Sequence, residues 1–201
     1  MQSKTFCLAA CIFFLAAASG YSTNHYHSLG FGFARYQLVE SINDTTTATT
    51  TLSGSGVQYS ILQARSSIGI FGRGTANWLT RGETELSNGS SSPAFSGDLA
   101  DPMLNMSYML GVGFRGEFAD RFHLQAAGGA GIAYLIGTGD NTTFYMGAGL
   151  RGQAQAGISF LDNVGLAVGV MADYDVVDIV SSIYLAVDHS LLLFPYIALT
   201  F

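Results

Sequence analysis

The sequence predicts an all-β fold, an eight-stranded antiparallel barrel that crosses a lipid bilayer with its strands. Three observations carry that expectation. The 201 residues are 49% hydrophobic and only 11% charged, against roughly 25% charge in soluble domains, so water is not the solvent on every side. Hydrophobic residues alternate with small or polar ones at a period of two, the pattern of strands with two differently solvated faces. No segment beyond the leader offers 18 uninterrupted apolar residues, which excludes helical spanning.

Residues 1–20 read as a secretory signal. Lys4 supplies the positive start, Phe6 to Leu15 the apolar stretch, and Ala16, Ala17, Ala18, Ser19 and Gly20 the small residues of a cleavage site. A competing reading, lipid attachment at Cys11 in Leu8-Ala9-Ala10-Cys11, fits less well because the apolar run continues through Leu15. Removing the leader removes both cysteines, Cys7 and Cys11, and the lone lysine. Residues 21–201, the expected barrel, then carry seven arginines against 14 acids, a formal charge of −7. Disulfides and thiolate chemistry are excluded, and with no basic stripe to neutralise phosphates, nucleic acid is excluded as a partner.

Each strand follows from its alternation. Leu29, Phe31 and Phe33 oppose Gly30, Gly32 and Ala34; strands near 56–66 and from Ile68 to Leu79 follow. In 104–115, Leu104, Met106, Tyr108, Leu110, Val112 and Phe114 form an oily face opposite Asn105, Ser107, Met109, Gly111, Gly113 and Arg115. The same division runs through 122–136, 143–157 and 163–175. In 182–201 the phase is interrupted, because His189 and Pro195 fall on the oily parity, and a bulge is expected there. The count is about eight strands of 9 to 16 residues, against the roughly 9 to 11 a tilted strand needs to cross the hydrocarbon.

Connections are short near 65–67, 117–120 and 161–163, and longer near 38–56 and 82–101, the asymmetry of short periplasmic turns and long outer loops. The threonine-rich stretch 43–56 and the serine-rich 87–97 read as solvated outer loops, with contact to a host or environmental ligand as the functional alternative. Phe118, Phe122, Phe160 and Phe201 fall toward the short-turn end, while Tyr36, Trp78, Tyr108 and Tyr174 fall toward the other, as two aromatic girdles.

The polar parity is glycine-rich, which suits a narrow interior better than a hydrated exterior. It carries Arg115, Gln125, Arg151, Gln153, Gln155, Asp173, Asp175 and Asp188, expected to face the lumen. Charges there must be paired or hydrated, either as a packing network or as a polarised path with the aspartates toward the outer half and the arginines toward the inner. Gly111-Val112-Gly113-Phe114-Arg115-Gly116 and Gly147-Ala148-Gly149-Leu150-Arg151-Gly152 match a dinucleotide fingerprint by letter, but neither opens a helix. His25, His27, His123 and His189 define no ligand set or catalytic group by spacing, so neither an enzyme nor a cofactor is expected.

The leader, the alternating strands, Asp120-Arg121-Phe122-His123-Leu124 and Asn163-Val164-Gly165-Leu166 after short turns, and the ending Leu199-Thr200-Phe201 together resemble the small outer-membrane β-barrels of diderm bacteria. The OmpW-like and OmpA/OmpX-like groups are similar in size, although the chain ends Ile197-Ala198-Leu199-Thr200-Phe201 without the Tyr-Arg-Phe of OmpW proteins. The resemblance implies location in the outer membrane, contact with its lipid, and Phe201 as the assembly signal presented to the barrel-assembly machinery. It implies a narrow passive channel for small, including hydrophobic, solutes. The alternative is a structural or adhesive surface protein whose barrel anchors outer loops.

Overall fold

The computed structural model describes residues 24–43, 46–87, 97–118, 121–137, 144–161, 164–181 and 187–201. The expected leader lies outside them, as does most of the serine-rich stretch 87–97. Eight antiparallel strands close into one ring in sequence order. They are β1 (Asn24–Asn43), β2 (Thr46–Ala64), β3 (Ile68–Leu86), β4 (Gly97–Phe118), β5 (Phe122–Gly137), β6 (Phe144–Leu161), β7 (Val164–Ser181) and β8 (Val187–Thr200). The seam joins β1 to β8, and the terminal residue continues it: His27 N–H donates to the Phe201 carbonyl at 2.8 Å and Phe201 N–H returns to His27 at 3.0 Å.

Hydrogen-bonded neighbours set the shape. Starting at Ser28 and moving round through Ser60, Arg73, Met109, Gly131, Gly149, Asp175 and Ser190, the path returns to β1 at Leu38, ten residues further along. Eight strands at that stagger tilt by about 40° and enclose a space about wide enough for side chains alone.

The two parities separate as the alternation requires. Phe31, Val112, Leu150, Val168 and Ile197 are all more than 60% exposed on the outside, while Leu62, Phe71, Leu79, Leu135 and Phe194 are at most 1% exposed inside. Tyr108 and Phe118 lie ten residues apart on β4 and are both about half exposed. At about 3.4 Å per residue and a tilt of about 40°, that spacing covers about 25 Å, the height of the apolar band of such barrels. Phe122, Phe160 and Phe201 join Phe118 at the short-turn end, and Trp78 and Tyr174 join Tyr108 at the other. Tyr36 is a correction to the expected girdle: it is 1% exposed and points into the barrel between Leu38 and Ala34 of the same face.

The strands run 14 to 22 residues, longer than crossing requires. The threonine-rich stretch is the main correction here. It is strand, not loop: β1 continues to Asn43 and β2 begins at Thr46, with Val39 opposite Thr49 and Gln37 opposite Thr51. Threonine's β-branch favours the pleated chain, and Gln37 Nε2 donates to Thr51 Oγ1 at 3.3 Å across the pair. The outer end of the barrel is therefore a projecting sheet.

Glycines on the inner face make room for large neighbours. A Cβ on Gly169 would lie 2.5 Å from both the ring and the hydroxyl oxygen of Tyr196, and one on Gly30 would lie 2.8 Å from the same ring. Tyr196 fits only because its flanking strands carry no side chain at those points. Gly169→Val is expected to lower stability by about 1–3 kcal/mol through overpacking, read by urea unfolding in lipid vesicles, with most of the loss recovered when Tyr196→Ala is added.

Candidate functional site

At mid-barrel β3, β6 and β7 bring four charges together. Arg73 projects from β3, Arg151 from β6, and Asp173 and Asp175 from β7; their side chains are 0–2% exposed. The antiparallel register sets Arg151 directly opposite Asp173. Arg73 and Asp173 form an ion pair, as do Arg151 and Asp175, and Arg151 Nε stands 3.6 Å from the second Asp173 oxygen. Two hydroxyls complete the carboxylates: Ser107 donates to Asp173 at 2.6 Å and Ser190 to Asp175 at 2.9 Å. Arg73 also donates to the carbonyl of Gly152 at 3.1 Å, which ties β3 across the lumen to β6. Two positive and two negative groups cancel, as burial away from water demands.

Below this layer, toward the short-turn end, lies an amide layer. Gln58 donates to Ser28 at 3.2 Å, Ser28 to Gln155 at 3.3 Å, and the Tyr196 hydroxyl to Gln155 at 3.0 Å. Gln153 lies within 3.5 Å of both Ser60 and Gln155. On the outer side of the charges, Asn77 and Asn105 pair at 2.9 Å on β3 and β4. Toward the outer end the lumen is filled by an apolar cluster that includes Tyr36, Leu38, Leu52, Leu79, Leu135, Tyr145 and Leu192. A smaller one, Leu62, Ala64, Phe71 and Met109, lies toward the inner end.

The expected lumen residues divide as follows. Gln125, Arg151, Gln153, Gln155, Asp173 and Asp175 are all buried inside the ring. Arg115 sits at the inner mouth, its guanidinium 4.2 Å from the centre of the Tyr26 ring and 3.4 Å from Glu117. Asp188 is a correction. The β1–β8 register passes from Val39↔His189 to Glu40↔Val187, leaving Asp188 as the extra residue of a bulge. It turns outward, exposed, where Ser41 donates to it at 2.6 Å. Along the same strand the β1 pairing passes from Gly32↔Tyr196 to Arg35↔Leu193, skipping Pro195, whose nitrogen has no hydrogen to donate.

The polarised path does not form, because Arg151 and both aspartates occupy one level rather than opposite halves. Arg73 is the residue the sequence reading passed over. Its signal is present, since Phe71, Arg73, Thr75, Asn77 and Leu79 share one parity and all are buried. Both glycine-rich runs lie within paired strands β4 and β6. His123 is buried inside, while His189 packs 5.6 Å from Tyr174. Among the described residues no group of three His, Cys, Asp or Glu side chains is placed to hold a metal.

No family model and no curated protein sequence matches the chain. Solved structures do match. Neisserial surface protein A aligns over 90% of this chain and 98% of its own, at 9% identity and a TM-score of 0.63. The outer membrane protein OprG from Pseudomonas aeruginosa aligns over 89% and 97%, at 11% identity and a TM-score of 0.51. The chain therefore has the fold of the small eight-stranded outer-membrane β-barrels, and its apolar belt is the surface such a barrel turns to lipid. At these identities the likeness is one of fold and does not single out the OmpW-like branch.

Removing one carboxylate from the ion layer leaves a buried arginine uncompensated. Asp173→Ala is expected to cost about 3–5 kcal/mol, whereas the paired replacement Arg73→Met with Asp173→Leu costs far less. Equilibrium unfolding of the three proteins in lipid vesicles measures the difference.

Proposed function

We propose that this protein is a non-conducting outer-membrane barrel that anchors a projecting sheet at the cell surface, the structural or adhesive role rather than the solute channel. One observation carries the reading: the lumen is closed by its own side chains. Tyr36, Leu79, Leu135, Tyr145 and Leu192 are each at most 1% exposed, so water does not reach them from either end. The paired charges beneath them lie equally out of reach. A conduit needs a hydrated or at least openable path, and here both an apolar layer and a neutral ionic layer would have to move.

What the barrel holds outward is polar. Beyond Phe33, Val57 and Trp78, the projecting ends of β1, β2 and β3 expose Arg35, Gln37, Ser41, Thr47, Thr49, Thr51, Arg81, Glu83 and Glu85. Thr51 stands opposite Glu83, and Thr49 opposite Glu85. This hydroxyl-rich sheet of mixed charge is held by strand pairing where a loop would not be, which lowers the ordering cost of binding a partner. The same reading keeps two expected partners: the lipid of the outer membrane against the apolar belt, and the assembly machinery at the C-terminal strand ending in Phe201.

Planar-bilayer recordings on the purified protein are expected to show no current steps above background. Reproducible openings of fixed size would instead support the channel. Shortening the β1–β2 hairpin to a tight turn near Gln37 and Thr51 is expected to abolish surface attachment while leaving solute uptake unchanged.

A further inference from the structure

Two cavities adjoin at the short-turn end, which in such barrels faces the periplasm, and they differ in chemistry. One, about 610 Å³, is the polar mouth of the barrel, lined by groups that include Arg115, Glu117, Arg121, His123, Ser159 and Thr200. The other, about 580 Å³, is an apolar groove on the lipid side, lined by residues that include Phe118, Leu124, Ala156, Ile158, Leu166 and Val168. Phe122 and His123 line both.

The wall between them is thin at one point. Gly157 stands opposite His123 on the neighbouring strand, and a Cβ there would collide with the imidazole. His123 is 2% exposed, and neither of its ring nitrogens has a hydrogen-bond partner. Buried polar groups ordinarily have one, so this ring leaves hydrogen-bonding capacity unmet where the two cavities adjoin. Arg121 is exposed on the β4–β5 turn, which is held by Ser159 N–H donating to its carbonyl at 2.8 Å. Arg115 lies behind it inside the mouth, paired with Glu117 at 3.4 Å and stacked on Tyr26, so Arg121 carries the net positive charge of the cup. The aromatic girdle residues Phe118, Phe122 and Phe160 mark this as the level of the lipid headgroups.

A polar cup carrying two arginines against one glutamate, beside an oily groove at headgroup depth, matches one kind of molecule. We infer that the rim binds a single phospholipid, its phosphate held in the mouth by Arg121 and Arg115 with His123 beside it, and one acyl chain lying along the groove from Phe122 to Val168. Guanidinium groups suit phosphate by charge and by paired N–H geometry. The small side chain of Ala156 on the outer face leaves the groove open for the chain.

The test is native mass spectrometry of the delipidated, folded protein titrated with phosphatidylglycerol, with dioleoylglycerol and inorganic phosphate as separate probes. One phosphatidylglycerol per barrel is expected to remain bound, with affinity about tenfold weaker in Arg121→Gln. Ala156→Phe, which fills the groove from the lipid side, is expected to weaken it similarly while melting at an unchanged temperature. Dioleoylglycerol should bind at least tenfold more weakly, and millimolar phosphate should not displace the lipid. Equal binding of dioleoylglycerol, or no effect of either variant, would mean annular lipid only and would overturn the inference. Displacement by inorganic phosphate would overturn it in favour of a simple anion site. Neither outcome depends on whether the barrel conducts.

Discussion

A backbone placed in hydrocarbon must satisfy its own hydrogen bonds, and nearly every feature of this molecule follows from that constraint. Each unpaired N–H or C=O in lipid costs several kcal/mol. Closing β8 onto β1 removes the two edges an open sheet would leave, and the last residue is drawn into the seam through His27 and Phe201. Closure with eight strands then dictates a narrow interior. The glycines facing Tyr196 and His123 are the local cost of that narrowness, because full-sized side chains on neighbouring strands do not both fit into the lumen.

The charged side chains of that interior lie out of reach of bulk solvent, so they are arranged to cancel. Asp173 is shared between Arg73 and Arg151, and Asp175 closes the set with Ser190. Such a layer is poorly suited to stepwise passage of ions, because moving any one member strands its partner in low dielectric. The apolar cluster around Tyr36 and Tyr145 adds a second closure on the outer side. On the proposed reading, function lies at the two ends rather than in the lumen: a projecting polar sheet outside, and a rim of charged and aromatic groups inside.

Much of this was legible in the residues themselves. The period-two alternation in 104–115 and 122–136 is so regular that it determines which side chains meet lipid, and the structure follows it residue for residue in β4 and β5. The six buried residues from Gln125 to Asp175 were readable for the same reason. Asp188 was not, because a bulge shifts parity by one and nothing in the local composition marks which residue is extruded. The threonine run was misread because polar composition suggests a loop while β-branching favours strand, and pairing with β1 and β3 decides between them. Tyr36 fell on the wrong side of the wall for a related reason: an aromatic near a strand end suits a girdle or a core equally, and only its phase with Ala34 and Leu38 separates them. Contact across the lumen, such as Arg73 with Gly152, leaves no trace in sequence spacing.

The account stands on lipid bathing one parity of every strand. Spin labels placed singly from Gly165 to Tyr174 on β7, in reconstituted vesicles, report this directly through collision with oxygen and with a water-soluble nickel chelate. Oxygen accessibility is expected to peak at Leu166, Val168, Val170 and Ala172 and to fall at Ala167, Gly169 and Met171, with the chelate excluded throughout. Accessibility without a two-residue period, or chelate collisions at Leu166 and Val168, would contradict it.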